Sequence, residues 1–251
     1  MMRKHTKSKH DGGIKIFGVC ITAAPPFPET PHPLSAAQPE PGGGTHFFPY
    51  HCPMNNLPNA PQPLHRCFFA VKFSAQIEEY VAAMIQSLRG HGADVAWTPQ
   101  RNLHLTLRFL GEINRRQLQQ IQQLPAGALL PLGFRLRAAG LGAFPTLRSA
   151  RVLWTGVEGE TPEHRQQLSE LQRLTEEWAR EIGLAPEGRR YTPHLTLGRV
   201  RNPSPGLRTV VDAMTVGECL SPFCTIAELL LMQSTLTERG AEYEVVGRWG
   251  G

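Results

Sequence analysis

One tetrapeptide occurs twice in this chain. His104-Leu105-Thr106-Leu107 returns as His194-Leu195-Thr196-Leu197. Both copies lie in runs rich in strand formers. Side chains alternate along a strand, so each histidine shares a face with its threonine while the two leucines share the other. Each copy therefore presents an imidazole and a hydroxyl to one side and anchors itself to a core on the other. A single such tetrapeptide is common, and a lone strand histidine is usually structural. Two identical copies in similar positions are a stronger constraint: the chain must build two similar half-domains, each offering one histidine.

The surrounding pattern agrees. Residues 67–73 read as a strand, and Ser74 is placed to cap a helix carrying Ile77, Val81, Ile85 and Leu88 on one face. Residues 103–110 read as a strand, followed by a short helix capped by Asn114 and carrying Leu118, Ile121 and Leu124. Phe134, Leu136 and Ala138 alternate with Arg135 and Arg137, which predicts a half-exposed strand. Residues 151–157 form another. Thr161-Pro162-Glu163 is a helix start, with cap, proline and first-turn acid, and Leu168, Leu171, Leu174, Trp178 and Ile182 continue it to Gly183. Residues 194–200 read as a strand, residues 223–236 as a long strand, 238–240 as a turn and 243–249 as its return. Strand–helix–strand occurs twice, which predicts an α+β domain of two similar lobes.

Residues 1–65 differ. They are rich in proline, contain Gly42-Gly43-Gly44 and show almost no periodicity. Such composition buries too little apolar surface to offset its ordering entropy, so a disordered extension is expected there and a folded domain over 66–249. Met54 stands just before the first strand and is a candidate alternative start. Arg3, Lys4, Lys7 and Lys9 precede a short apolar stretch that faintly resembles a signal peptide, but Lys15 interrupts it and prolines follow it, so a cytoplasmic protein is expected. No apolar run reaches membrane-spanning length. The five cysteines, Cys20, Cys52, Cys67, Cys219 and Cys224, form no C-x-x-C pair, which argues against a disulfide framework or a structural zinc site. A formal net charge of +5 suits a polyanionic ligand without specifying one.

Two histidines on opposite walls of a cleft suit in-line displacement at phosphorus. Opening a cyclic phosphate needs a base to activate water and an acid to protonate the leaving ribose oxygen. With an ordinary pKa of about 6.5, one imidazole can be neutral and the other charged near neutral pH. The threonine hydroxyls can hold the non-bridging oxygens. This chemistry needs no metal, and no metal cluster or cofactor motif is evident.

The paired motifs resemble those of the two-histidine (2H) phosphoesterase superfamily. The flanking segments narrow the resemblance to the RNA 2',3'-cyclic phosphodiesterase family, also called the 2'-5' RNA ligase family. They are residues 66–71, the block Asn102 to Glu112, residues 151–154, Pro193 to Arg199, and Ser234 with Gly240 and Tyr243. The resemblance spans roughly residues 66–249. It implies a LigT-like fold: two lobes of antiparallel sheet related by a pseudo-twofold axis and flanked by helices, with the site between them. It implies hydrolysis of 2',3'-cyclic ends to 2'-phosphates, with His104 as proton donor and His194 as proton acceptor. The near-identity of the motifs leaves that assignment open from the residues alone. The partner implied is RNA with a 2',3'-cyclic phosphate terminus, tRNA fragments among the candidates, with a monomeric enzyme and a reverse 2'-5' joining reaction.

Further candidates for substrate contact are Arg108, on the face of His104 if its strand continues regularly, and Arg199, which reaches the face of His194 only if Gly198 breaks the alternation. Arg151 is a candidate for the RNA backbone, and Phe69 and Tyr191 for base stacking. The residues leave two alternatives open. One is another 2H phosphoesterase, acting on 2'-5' or cyclic nucleotide diesters. The other is a non-catalytic module that binds RNA or nucleotides in the same cleft.

Overall fold

Residues 63–124, 130–238 and 240–250 are described by a computed structural model of the chain. The expected extension therefore falls, apart from residues 63–65, outside the described residues, as do Met54, Cys20 and Cys52. The elements in chain order are β1 (His65–Val71), α1 (Ala75–Arg89), β2 (Val95–Trp97), β3 (Leu105–Ile113), α2 (Arg115–Gln122), β4 (Arg135–Phe144), β5 (Val152–Gly159), α3 (Pro162–Glu181), β6 (His194–Val200), α4 (Pro205–Val216), β7 (Cys224–Thr225), β8 (Glu228–Thr237) and β9 (Gly240–Gly250).

Local chemistry sets the helix ends. Asn114 and Gln117 cap α2 reciprocally, each side chain engaging the other's backbone N–H. Thr161 accepts from the His164 N–H at the start of α3, with Pro162 in the first turn, and Gly183 follows at φ +84°. Ser74 precedes α1 but makes no side-chain cap bond. The sequence reading missed α4, which Ser204 caps ahead of Pro205, and the short β2. The long strand expected over 223–236 is two strands, because the chain crosses the molecule there: β7 pairs with β4, whereas β8 pairs with β1 and β9.

All strands belong to one curled antiparallel sheet ordered β7-β4-β5-β6-β3-β1-β8-β9, with β2 added to β6. Two groups can be recognised within it. β1, β3, β8 and β9 form the first lobe; β4, β5, β6, β7 and β2 form the second. They join where β3 meets β6, through one register pair, Leu105 opposite Leu195. Both leucines are fully buried. All four helices contribute to the core on that face, which also takes Leu107 and Leu197. The four motif leucines thus anchor as their alternation predicts. The opposite face carries a smaller apolar cluster of Phe68, Ala70, Leu230 and Met232, flanked by Tyr243 and Val245. Cys67, Cys219 and Cys224 are buried free thiols.

Arg108 is not on the face expected of it. Its side chain is 7% exposed. Its Nε lies 2.5 Å from Glu176 Oε2 in α3, and its guanidinium donates to the carbonyl oxygens of Phe109 and Ala185, the latter at 2.6 Å. Glu187 Oε2 stands 3.7 Å away. Arg108 therefore ties β3 to α3 and to the segment leading into the second motif, and is not available to a phosphate. Removing one partner of a buried pair strands the other charge, so Arg108→Ala is expected to destabilise the fold by ~3–5 kcal/mol. Urea denaturation measures it. A substrate-contacting arginine would instead change KM with stability unaltered.

Candidate active site

The register at Leu105 and Leu195 determines what faces what. In an antiparallel pair centred there, His104 falls across from Thr196 and Thr106 across from His194. The two histidines are then diagonal neighbours on one face, a relation that separates Cα atoms by roughly 7–8 Å in a regular ladder. Each imidazole has the other motif's threonine in front of it.

Each ring is held the same way. His104 Nδ1 lies 2.7 Å from the Asn102 carbonyl oxygen, and His194 Nδ1 lies 2.7 Å from that of Thr192. A carbonyl oxygen only accepts, so Nδ1 carries the proton in both rings and Nε2 is left as the reactive nitrogen. The anchoring carbonyls are themselves secured. Asn102 donates its side-chain amide to the Ala241 carbonyl at 2.7 Å, tying the turn before β3 to β9. Tyr191 donates its hydroxyl to the Thr106 carbonyl at 3.3 Å, tying the approach to β6 to the first motif.

Aromatic rings wall both sides. His104 meets Tyr243 edge-on at 5.1 Å between centroids, with Phe68 at 4.8 Å. His194 meets Phe144 edge-on at 5.0 Å, with Trp154 at 6.1 Å. Trp154 lies over Gly142, where an added Cβ would come within 2.3 Å of the indole. Burial lowers the His104 pKa to about 4, with Lys72, His194 and Arg199 adding to the depression. Burial likewise lowers His194, reinforced by Arg199. Both imidazoles are therefore neutral at neutral pH until a negative charge enters between them.

A β-bulge falls at the last leucine of each motif. Phe69 pairs with Arg108 and Ala70 with Thr106, which leaves Leu107 with no residue opposite. Leu153 pairs with Gly198 and Trp154 with Thr196, which leaves Leu197 likewise. Each extra residue reverses the alternation beyond it. In β3 this turns Arg108 away and brings Phe109 onto the site face, beside Phe68 at 5.8 Å. In β6 it brings Arg199 onto the face of His194; the break lies at Leu197, one residue before the Gly198 at which it was expected. Gly198 is required because β2 packs against it; a Cβ there would sit 2.5 Å from Val95 Cγ1.

The remaining expectations divide. Phe69 is fully buried between Trp178 and Trp249; its neighbour Phe68 holds the site face instead. Tyr191 packs against the main core and acts as a brace, not as a free stacking ring. Arg151 is exposed, but it precedes Val152, the site-face partner of Arg199, and alternation sends its side chain the other way. Lys72 was missed. It continues the Phe68–Ala70 alternation out of β1, pairs with Glu78 at 3.1 Å, and acts electrostatically on His104. Among the described residues, no three His, Cys, Asp or Glu side chains stand close enough to hold a metal ion, and no helix is long and apolar enough to cross a membrane.

Comparison with known proteins bears on this arrangement. The family model described as LigT like Phosphoesterase matches residues 71–154 and 160–241, which include both motifs. The chain is 33% identical over 181 residues to an RNA 2',3'-cyclic phosphodiesterase of Methanothermobacter thermautotrophicus, covering 71% of this chain and 94% of that protein. It is 32% identical over 183 residues to the protein of the same name from Archaeoglobus fulgidus, covering 71% and 96%. Among solved structures, E. coli LigT complexed with 3'-AMP is similar with a TM-score of 0.57 at 26% identity, covering 75% of this chain and 98% of that one.

The depressed His104 pKa has a thermodynamic consequence. The unfolded chain takes up this proton below about pH 6.5, whereas the folded chain resists until about pH 4. The contribution is therefore complete above pH 6.5 and is lost as pH falls toward 4. Between pH 7 and pH 5, His104→Gln is expected to lose roughly 1–2 kcal/mol less stability than the parent, measured by denaturant unfolding at each pH.

Proposed function

The chain belongs to the LigT like phosphoesterase family, and from that premise we propose that it is an RNA 2',3'-cyclic phosphodiesterase working by two-histidine acid–base catalysis. The observation that carries the reading is the matched pair of imidazoles. Both rings have Nδ1 committed to a backbone carbonyl and Nε2 free, and they stand on one face with a threonine opposite each.

The reaction follows from that geometry. The cyclic phosphate lies between the rings, with the Thr106 and Thr196 hydroxyls donating to its non-bridging oxygens. Its negative charge raises the pKa of both imidazoles, offsetting burial, so that one becomes charged as substrate binds. His194 Nε2 takes a proton from water as the water oxygen attacks phosphorus. The bond to the ribose 3'-oxygen breaks, and His104 Nε2 gives that oxygen its proton. The product is a 2'-phosphate and a free 3'-hydroxyl. Arg199, placed by its bulge, and Lys72 offset the charge that gathers on the phosphoryl oxygens. With an RNA 5'-hydroxyl in place of water, the same steps form a 2'-5' linkage.

The donor and acceptor roles follow the resemblance of the motif blocks. The substrate is an RNA end, tRNA fragments among the candidates, handled by a monomer in the cytoplasm. The register supports a monomeric site, because both histidines and both threonines come from one chain.

The reading is tested with a short RNA ending in a 2',3'-cyclic phosphate, incubated with EDTA, the 2'- and 3'-phosphate products being resolved. Turnover to the 2'-phosphate is expected, with kcat reduced on the order of 10²–10⁴-fold in His104→Ala and in His194→Ala. A 3'-phosphate product would indicate a different reaction at the same pair. Binding without turnover would make the chain a recognition module.

A further inference from the structure

The cations of the site are unevenly placed. Arg199 acts electrostatically on both imidazoles, and Lys72 adds its charge at His104. Register explains the position of Lys72. β1 and β3 pair Ala70 with Thr106 and Val71 with Leu105, so one further step brings Lys72 beside His104, on the face that Phe68 and Ala70 share. Its ammonium rests against the start of α1, 3.1 Å from Glu78 Oε1, and donates to the Arg101 carbonyl at 3.4 Å. The side chain keeps 31% of its surface exposed. An ion pair open to water contributes little to stability, so the ammonium can leave Glu78 for a better-placed anion.

We infer that Lys72 binds the phosphodiester on the 5' side of the terminal nucleoside, and so makes the chain favour the end of an RNA strand over a single nucleoside 2',3'-cyclic phosphate. This rests on the function proposed above. The chemistry of ribose fixes where that phosphodiester lies. C2' leads through C1' to the base, and C3' leads through C4' to C5' and the 5'-oxygen. The 3'-oxygen is the leaving group and points to His104, so the C5' arm leaves the site on the His104 side, where Lys72 stands. The base, carried on the 2' side, leaves in the other direction. Arg199 comes from the second lobe and is left to the phosphoryl oxygens of the cyclic phosphate. A lysine ammonium is a point charge with three rotatable donors on a flexible stem, which suits a diester that is free to turn. Such a contact reads charge and not sequence. It discriminates by chain length, because a lone nucleoside 2',3'-cyclic phosphate lacks the second anionic group.

The experiment compares two dinucleotides that end in a 2',3'-cyclic phosphate and differ only in the linkage between their nucleosides: a charged phosphodiester in one, an uncharged methylphosphonate in the other. In the parent chain the charged dinucleotide is expected to be preferred in kcat/KM on the order of tenfold, mainly through KM. Lys72→Gln is expected to bring that ratio close to one, whatever it does to the rate common to both, and Lys72→Arg to restore it. Glu78→Gln, which removes the competing carboxylate, is expected to keep the ratio or raise it. A ratio unchanged by Lys72→Gln, with both dinucleotides slowed together, overturns the inference and leaves Lys72 a part in the shared chemical step. A ratio brought to one by Glu78→Gln as well overturns it too, and assigns the pair a structural part at the start of α1. Equal rates in the parent chain overturn the inference alone. Failure of the parent on both dinucleotides overturns the proposed function, and this inference with it.

Discussion

The site depends on one backbone pairing. Leu105 opposite Leu195 is the place where the two lobes join across the sheet, and it decides at once that both leucines enter the shared core and that both histidines do not. A shift of one residue between β3 and β6 would reverse the facing of one motif relative to the other, burying one imidazole and exposing two leucines. The cost of that error is what keeps the catalytic groups together. The helices act through the same pairing, since all four cover the core face and leave the opposite face open for chemistry.

The bulges give this duplicated frame its directionality. Each makes the last leucine of the motif the extra residue, and each sends a different side chain to the site. In the second lobe the displaced position is Gly198, which β2 approaches closely, and the residue delivered is Arg199. In the first lobe the displaced position is Arg108, which is drawn into an ion pair with Glu176, and the residue delivered is Phe109. The same device thus yields a charge at one end and an apolar ring at the other. Burial of the imidazoles complements it: both rings are held neutral until an anion arrives, which links protonation of the acid to the presence of substrate.

Much of this was legible because it is periodic. The α+β class, the two lobes, the inward leucines, the capped starts of α2 and α3 and the pairing of His104 with His194 all follow from alternation, helical spacing and a repeated motif. What escaped did so for more than one reason. Arg108 and Phe69 were placed by extrapolating alternation or by choosing between adjacent residues, and a bulge changes parity without leaving a mark in the residue pattern. Arg199 was expected on the site face only if Gly198 broke the alternation; the break falls one residue earlier, at Leu197, and has the same effect on facing. Lys72 could have been found by extending the parity of Phe68 and Ala70 by one step. Phe144 and the brace role of Tyr191 depend on contacts between distant segments, and no local pattern announces them. The division of residues 223–236 reflects which partners each half meets across the sheet, again a tertiary choice.

The central claim is that both histidines address one phosphate through Nε2, with Nδ1 tied to the chain. Nitrogen-resolved NMR of the imidazoles, with a nucleoside 2'-phosphate titrated in at neutral pH, tests it most directly. The account predicts the Nδ1–H form for both free rings, and perturbation of both Nε2 signals by the phosphate, one of them gaining a proton. An Nε2–H form in either free ring, or a phosphate that perturbs one ring and leaves the other untouched, would contradict it.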